Sequence, residues 1–200
     1  MLTAWRIKVI NIKESGKMMN TQSINKYSRT LRCLHWLTAV TIISLLVVGF
    51  YMADIDPDAA DKYALYPLHK AFGMIALLLV MLRLPVRLKD PVPSPIKSFK
   101  KWEHQLSHSV HIGLYVAMFS MTWSGYLMSS TYAYVEGVDI FGIFTVPDIT
   151  PKSEYWNAIA HQVHTFTAWS FVVLLSLHLA GVVKHRIVDG KENDVLKRMI

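Results

Sequence analysis

Cysteine is almost missing from this chain: Cys33 is the only one in 200 residues. A single thiol excludes an intrachain disulfide and an iron–sulfur cluster held by four cysteines of this chain. No C-x-x-C-H run occurs, so any haem must be held non-covalently. Charge is also sparse, with 18% of residues charged against 52% hydrophobic. A soluble domain breaks up its apolar residues with polar ones, whereas here they stand in long blocks. There is no Gly-rich phosphate loop, internal repeat or low-complexity tract, and the length suits one helical-bundle domain. Residues 1–25 are basic but lack the apolar core of a cleaved signal peptide. They read as an N-terminal extension, with Met18 and Met19 as alternative starts.

A membrane span needs about 20 mostly apolar residues, each rising about 1.5 Å. Four stretches meet that need, at about 31–52, 66–84, 104–130 and 158–185. The fold class expected over residues 26–200 is therefore an all-α membrane protein, a four-transmembrane-helix bundle. The second stretch is expected to open at Pro67, a suitable first-turn residue. Lys70 and Arg83 bracket its short apolar core, close enough to the ends for their side chains to snorkel.

Basic residues concentrate before the first span, in the loop between the second and third, and in the tail. These segments hold 18 of the 21 lysines and arginines. The other two loops are mainly acidic, with Asp54, Asp56, Asp58 and Asp61 in one and Glu136, Asp139, Asp148 and Glu154 in the other. The positive-inside rule places both termini and the Pro-rich loop in the cytoplasm. Topology thus accounts for the net charge of +7, and no nucleic-acid partner is expected.

With that orientation, four intramembrane histidines fall into two pairs by depth. His35 and His178 lie toward the inner side, His69 and His164 toward the outer side. His164 and His178 are 14 residues apart on one helix, roughly 21 Å of rise and close to four whole turns. Both can face the bundle interior, one above the other. An imidazole in an apolar span is costly unless something binds it. Two axial imidazoles per iron leave no open site, which favours electron transfer over oxygen chemistry. The pattern predicts two b-type haems, the inner one on His35 and His178 and the outer one on His69 and His164. A lone histidine here would as readily be a hydrogen-bonded or interfacial residue; four matched ones favour ligation.

Other residues carry weaker signals. His104, His108 and His111 form a stripe explained by interfacial anchoring, although His108 or His111 could compete for the inner iron. His161, one turn before His164, is an alternative outer ligand. His185, two turns beyond His178, could hydrogen-bond a quinone or sit among headgroups. Arg83 could pair with a haem propionate, and topology explains it equally well. Gly49, Gly73, Gly113, Gly125 and Gly181 would admit a flat macrocycle or simply permit close helix packing.

The segments NKYSRTLRCLHW, PLHKAFG, LSHSVHIGLY and LHLAGVVKH, with the spacing of His164, His178 and His185, resemble the bacterial di-haem cytochrome b561 family. That small four-span group includes superoxide oxidase and is related to the cytochrome b subunits of nickel–iron hydrogenases. The resemblance covers about Asn25 to Ile200. It implies two b haems held by four histidines of the first, second and fourth helices. It also implies a ubiquinone contact at His185 and at a small polar residue two positions before the first ligand. Here that residue is Cys33, a weaker hydrogen-bonding partner than serine.

The expected function is that of an electron-transfer protein of the bacterial inner membrane, passing electrons from the periplasmic face to ubiquinone. Superoxide is the donor that would make it an enzyme, a superoxide:ubiquinone oxidoreductase. The acidic outer loops disfavour an anionic donor, with Lys62, Lys70 and Lys152 the only basic residues near the entrance. A different reading is a haem-bearing anchor for a partner dehydrogenase or hydrogenase. A third is a non-redox transporter using histidines as proton relays, which predicts no haem.

Overall fold

The computed structural model describes residues 26–200 apart from 57, 58, 97, 191 and 192. The N-terminal extension therefore lies outside the described residues, as do Asp58, Lys97 and Lys191 and the side chains of Asp61 and Lys62. Four long helices dominate: α1 (Arg29–Asp54), α2 (Ala60–Lys89), α3 (Lys101–Thr131) and α4 (Glu154–Ile187). Side chains cap the beginnings of α1, α4 and α3, whereas α2 has no side-chain cap. Ser28 Oγ accepts from the Leu31 amide, Ser153 Oγ accepts from that of Trp156, and the Glu103 carboxylate accepts from that of Lys100. Each cap satisfies an amide that the first helical turn would leave unpaired.

Pro67 does not open its helix. α2 begins at Ala60 and carries Pro67 and Pro85 inside it. The preceding run ADKYALY has no glycine and no β-branched residue, so the helix starts upstream and forgoes one backbone bond at the proline.

Three segments, Arg29–Asp54, Tyr63–Lys89 and Glu154–Ile187, are long and apolar enough to cross a membrane. α3 has 31 residues, and its opening turns, KWEHQLSH, dilute its apolar character. Large apolar side chains such as Val40, Val47, Phe166 and Val173 point outward, as lipid-facing residues do. α1 packs along α2, α2 along α3 and α3 along α4. No comparable backbone contact joins α1 to α4; these two helices meet through side chains, Phe50 against Trp169 among them. Its core is a waist of Ile42, Leu46, Ala76, Val80, Ala117, Met118 and Phe171, drawn from all four helices.

One end of the bundle gathers the start of α1, the end of α2, the start of α3 and the end of α4; we term it the proximal end. The opposite end bears a feature that the sequence reading missed. Strands β1 (Val138–Ile140) and β2 (Phe144–Val146) form an antiparallel hairpin, with Val138 opposite Val146 and Ile140 opposite Phe144. Three-residue strands carry too little alternation to be seen in a sequence. Val138 and Ile140 bury themselves against Ala71 and Tyr126, and Tyr126 Oη donates to the Pro147 carbonyl at 2.6 Å. Nearby, Asn157 Nδ2 of α4 donates to the Met128 carbonyl (2.8 Å) and Thr131 Oγ1 (3.2 Å) of α3. The Ser153 amide donates to the Thr131 carbonyl at 3.0 Å. These bonds fasten the end of α3 to the start of α4.

The hairpin depends on Gly137, whose φ of +68° is one that side-chain-bearing residues rarely adopt, and where a Cβ would stand 2.6 Å from the Val146 carbonyl oxygen. Gly137→Ala is expected to destabilise the protein by about 1–3 kcal/mol. A lowered melting temperature and faster proteolysis within residues 132–153 are the measurements that check it.

Candidate functional site

The apolar helices bring histidines together at both ends of the waist. At the proximal end, His35 of α1 and His178 of α4 face each other with ring centroids 6.4 Å apart. His111 of α3 is edge-on to His178 at 5.2 Å, so three helices contribute imidazoles to one place. Arg83, near the end of α2, reaches in as well. Its guanidinium lies 2.7 Å from His35 Nδ1, 3.8 Å from the Met118 sulfur and over the Tyr115 ring.

Hydrogen-bond partners reveal where the ring protons sit. A guanidinium can only donate, so His35 Nδ1 is an acceptor in this arrangement and its proton is on Nε2. His111 is the reverse case. Its Nδ1 lies 2.5 Å from the Ser107 carbonyl oxygen, which can only accept, so Nε2 keeps a free lone pair.

At the hairpin end, His164 of α4 is held in the same manner. Its Nδ1 lies 3.0 Å from the Met121 carbonyl and 3.1 Å from Ser124 Oγ, both on α3. The carbonyl fixes the proton on Nδ1 and leaves Nε2 free, the state that a metal-binding imidazole needs. His69 of α2 has a buried Nδ1 with no partner. Two glycines make room for these rings. A Cβ at Gly49 would lie 3.3 Å from His69 Cε1, and one at Gly125 would lie 3.1 Å from His164 Cε1. Gly73 and Gly181 differ, since a Cβ there would meet nothing within 4 Å. Each lies one turn from a histidine, Gly73 four residues after His69 and Gly181 three after His178. Open space thus adjoins a histidine at each end.

His161 is exposed on α4, away from the α3 groups that hold His164. Cys33 is exposed on α1 and takes no part in the contacts around His185. His185 is only 9% exposed. Its Nδ1 lies 2.6 Å from Asp189 Oδ2, and its ring stacks on Phe99 with centroids 3.8 Å apart and planes 16° apart. Phe99, Asp189, Ser124 and Met121 escaped the sequence reading. Of these only Asp189 left a trace, one helical turn beyond His185 in sequence. The others come from distant segments and no spacing announces them.

Crowding gives a direct check of the glycine roles. Gly125→Val should press on the His164 ring and cost about 1–3 kcal/mol through overpacking. Gly181→Ala places its methyl in open space, where alanine's helix propensity favours it by up to about 1 kcal/mol. Thermal unfolding of the detergent-solubilised variants should therefore move in opposite directions.

Residues 26–200 match the family model described as prokaryotic cytochrome b561. The chain is also 28% identical over 183 residues to cytochrome b561 homolog 2 of Escherichia coli (strain K12), spanning 92% of this chain and 95% of that protein. Taken with the apolar helices and their converging histidines, these matches establish that the chain belongs to the prokaryotic cytochrome b561 family, membrane proteins that use haem b for electron transfer.

Proposed function

We propose that this chain carries two b haems and passes electrons across the bacterial inner membrane to ubiquinone, with both termini in the cytoplasm and α3 as the fourth span. The observation that carries the reading is the paired arrangement of imidazoles at the two ends of one bundle. Two imidazoles on opposite faces of an iron, at bonds of about 2 Å, have ring centroids on the order of 6 Å apart. The 6.4 Å between His35 and His178 fits that spacing, whereas the 5.2 Å between His111 and His178 is too short. His69 and His164 form the other pair, supported by the free Nε2 of His164, the unpartnered Nδ1 of His69 and the clearance at Gly49 and Gly125. When bound, haem b supplies a one-electron centre that six-coordinate ligation protects from oxygen.

Ligation of His35 through Nε2 requires its proton to move to Nδ1. Arg83 must then release Nδ1, because it cannot accept a proton. The freed guanidinium is well placed to receive a carboxylate, which supports Arg83 as the partner of a haem propionate. His185, held by Asp189 and Phe99, is the group proposed to meet ubiquinone at the proximal end. The exposed Cys33 contributes less than a buried hydroxyl would.

The donor would act at the hairpin end. Superoxide is the small donor that the family resemblance offers, but the local charge opposes it. Lys152 is engaged by Asp148 at 2.6 Å and by the Val135 carbonyl. Glu136, Asp139 and Glu154 add negative charge to the same surface. This pattern favours a second reading, in which a redox partner protein with a basic face delivers the electrons and the chain serves as its membrane anchor.

Haem quantification on purified variants tests the assignment. The wild-type chain should bind two haems, and His35→Ala or His178→Ala should lose one while retaining the spectrum of the other. Loss of the proximal haem in His111→Ala with retention in His35→Ala would reassign the ligand. A colourless protein without a Soret band would end the redox reading. At full haem content, ubiquinone reduction driven by superoxide alone identifies an oxidase; a requirement for a partner protein identifies an anchor.

A further inference from the structure

The proximal end holds a second group of ionisable side chains that the haem assignment does not use. Glu103 of α3 is buried at 8% exposure, and its Oε1 accepts from Lys184 Nζ at 2.7 Å. Lys184 Nζ also donates to Asp189 Oδ2 at 2.8 Å, the oxygen that lies 2.6 Å from His185 Nδ1. A carboxylate, a lysine, a second carboxylate and an imidazole thus form one chain. Beside it lies a cavity of about 390 Å³ whose walls include Lys100, Trp102, Glu103, Lys184 and Asp189. Among the described residues, His104 against Phe99 and Arg186, which faces Asp194 at 3.9 Å, lie nearby as well.

The arrangement leaves His185 one orientation. Lys184 and then His185 hold the Asp189 carboxyl below the usual carboxylate range, so it stays ionised at neutral pH. An ionised carboxylate only accepts, which puts a hydrogen on His185 Nδ1 and leaves Nε2 as the ring's working atom. Phe99, stacked at 16° on the ring, opposes a flip.

Resting on the reading that ubiquinone meets His185, we propose that Asp189 is a positioning residue for quinone protonation, fixing His185 so that, when the ring takes up a second proton at Nε2, that Nε2–H is aimed at a quinone oxygen. Reduction of the quinone to quinol takes two electrons from the donor side and two protons. In each proton transfer the Nε2–H bond breaks and a quinone O–H bond forms. The imidazole left behind is neutral, keeps its Nδ1–H on Asp189, and regains a proton at Nε2 from water. Asp189 supplies no proton; it supplies direction and a compensating charge.

The test uses the haem-loaded protein and a short-chain ubiquinone, with kcat, KM and the solvent deuterium effect as readouts. Asp189→Asn should lower kcat at least about tenfold, leave KM within about twofold and enlarge the deuterium effect. Asp189→Glu should recover a substantial part of kcat. Asp194→Asn, which removes the same charge outside the His185 cluster, should retain wild-type kcat. Unchanged kcat in Asp189→Asn, alongside an inactive His185→Ala, overturns the positioning role and leaves the quinone site standing. An equal loss in Asp194→Asn also overturns it, since any nearby charge would then serve. Wild-type kcat and KM in His185→Ala would overturn the quinone site itself.

Discussion

An imidazole left unanswered in an apolar helix bundle is costly, and much of this molecule is arranged around that constraint. Burying a polar ring costs several kcal/mol unless a partner restores its lost hydrogen bonds. The protein answers one nitrogen of His164 and one of His111 with carbonyls that their own or a neighbouring helix can spare. Those bonds come from α3, which orients one ring of its own, His111, and one that α4 carries, His164.

The sparse backbone contact between α1 and α4 contrasts with the close approach of the other helices. Small residues let helices close tightly, as at the Ala76 and Ala117 waist. Between α1 and α4 rings make the contact instead, His35 with His178 and Phe50 with Trp169.

Much of this was legible in the sequence. The three most apolar helices follow from block hydropathy, and the structure brings His35 near His178, two residues that the sequence reading expects at one depth. The resemblance carried by NKYSRTLRCLHW and LHLAGVVKH agrees with the family that the chain matches. What stayed hidden is what depends on tertiary approach. Pro67 reads as a helix start because its own preference is local, whereas the helix is nucleated by the residues ahead of it. The hairpin at Val138–Val146 is too short to show a period. Arg83 reads as a propionate partner or a topology marker, and its contact with His35 shows only in the fold; the Phe99 ring reaches His185 only because the loop before α3 folds back on the end of α4.

The fastening of α3 to α4 by Asn157 and Ser153 has a consequence for distance. His164 and His178 share one continuous helix, so their separation along the membrane is a property of helical rise and does not change when neighbouring helices slide. The amide of Asn157 pins α4 in register with α3, which in turn packs along α2. α4 therefore acts as a ruler. A gap graduated in peptide units along a single helix keeps its length through thermal motion of the lipid around it, which would hold constant the distance between centres bound, as proposed, at these two histidines.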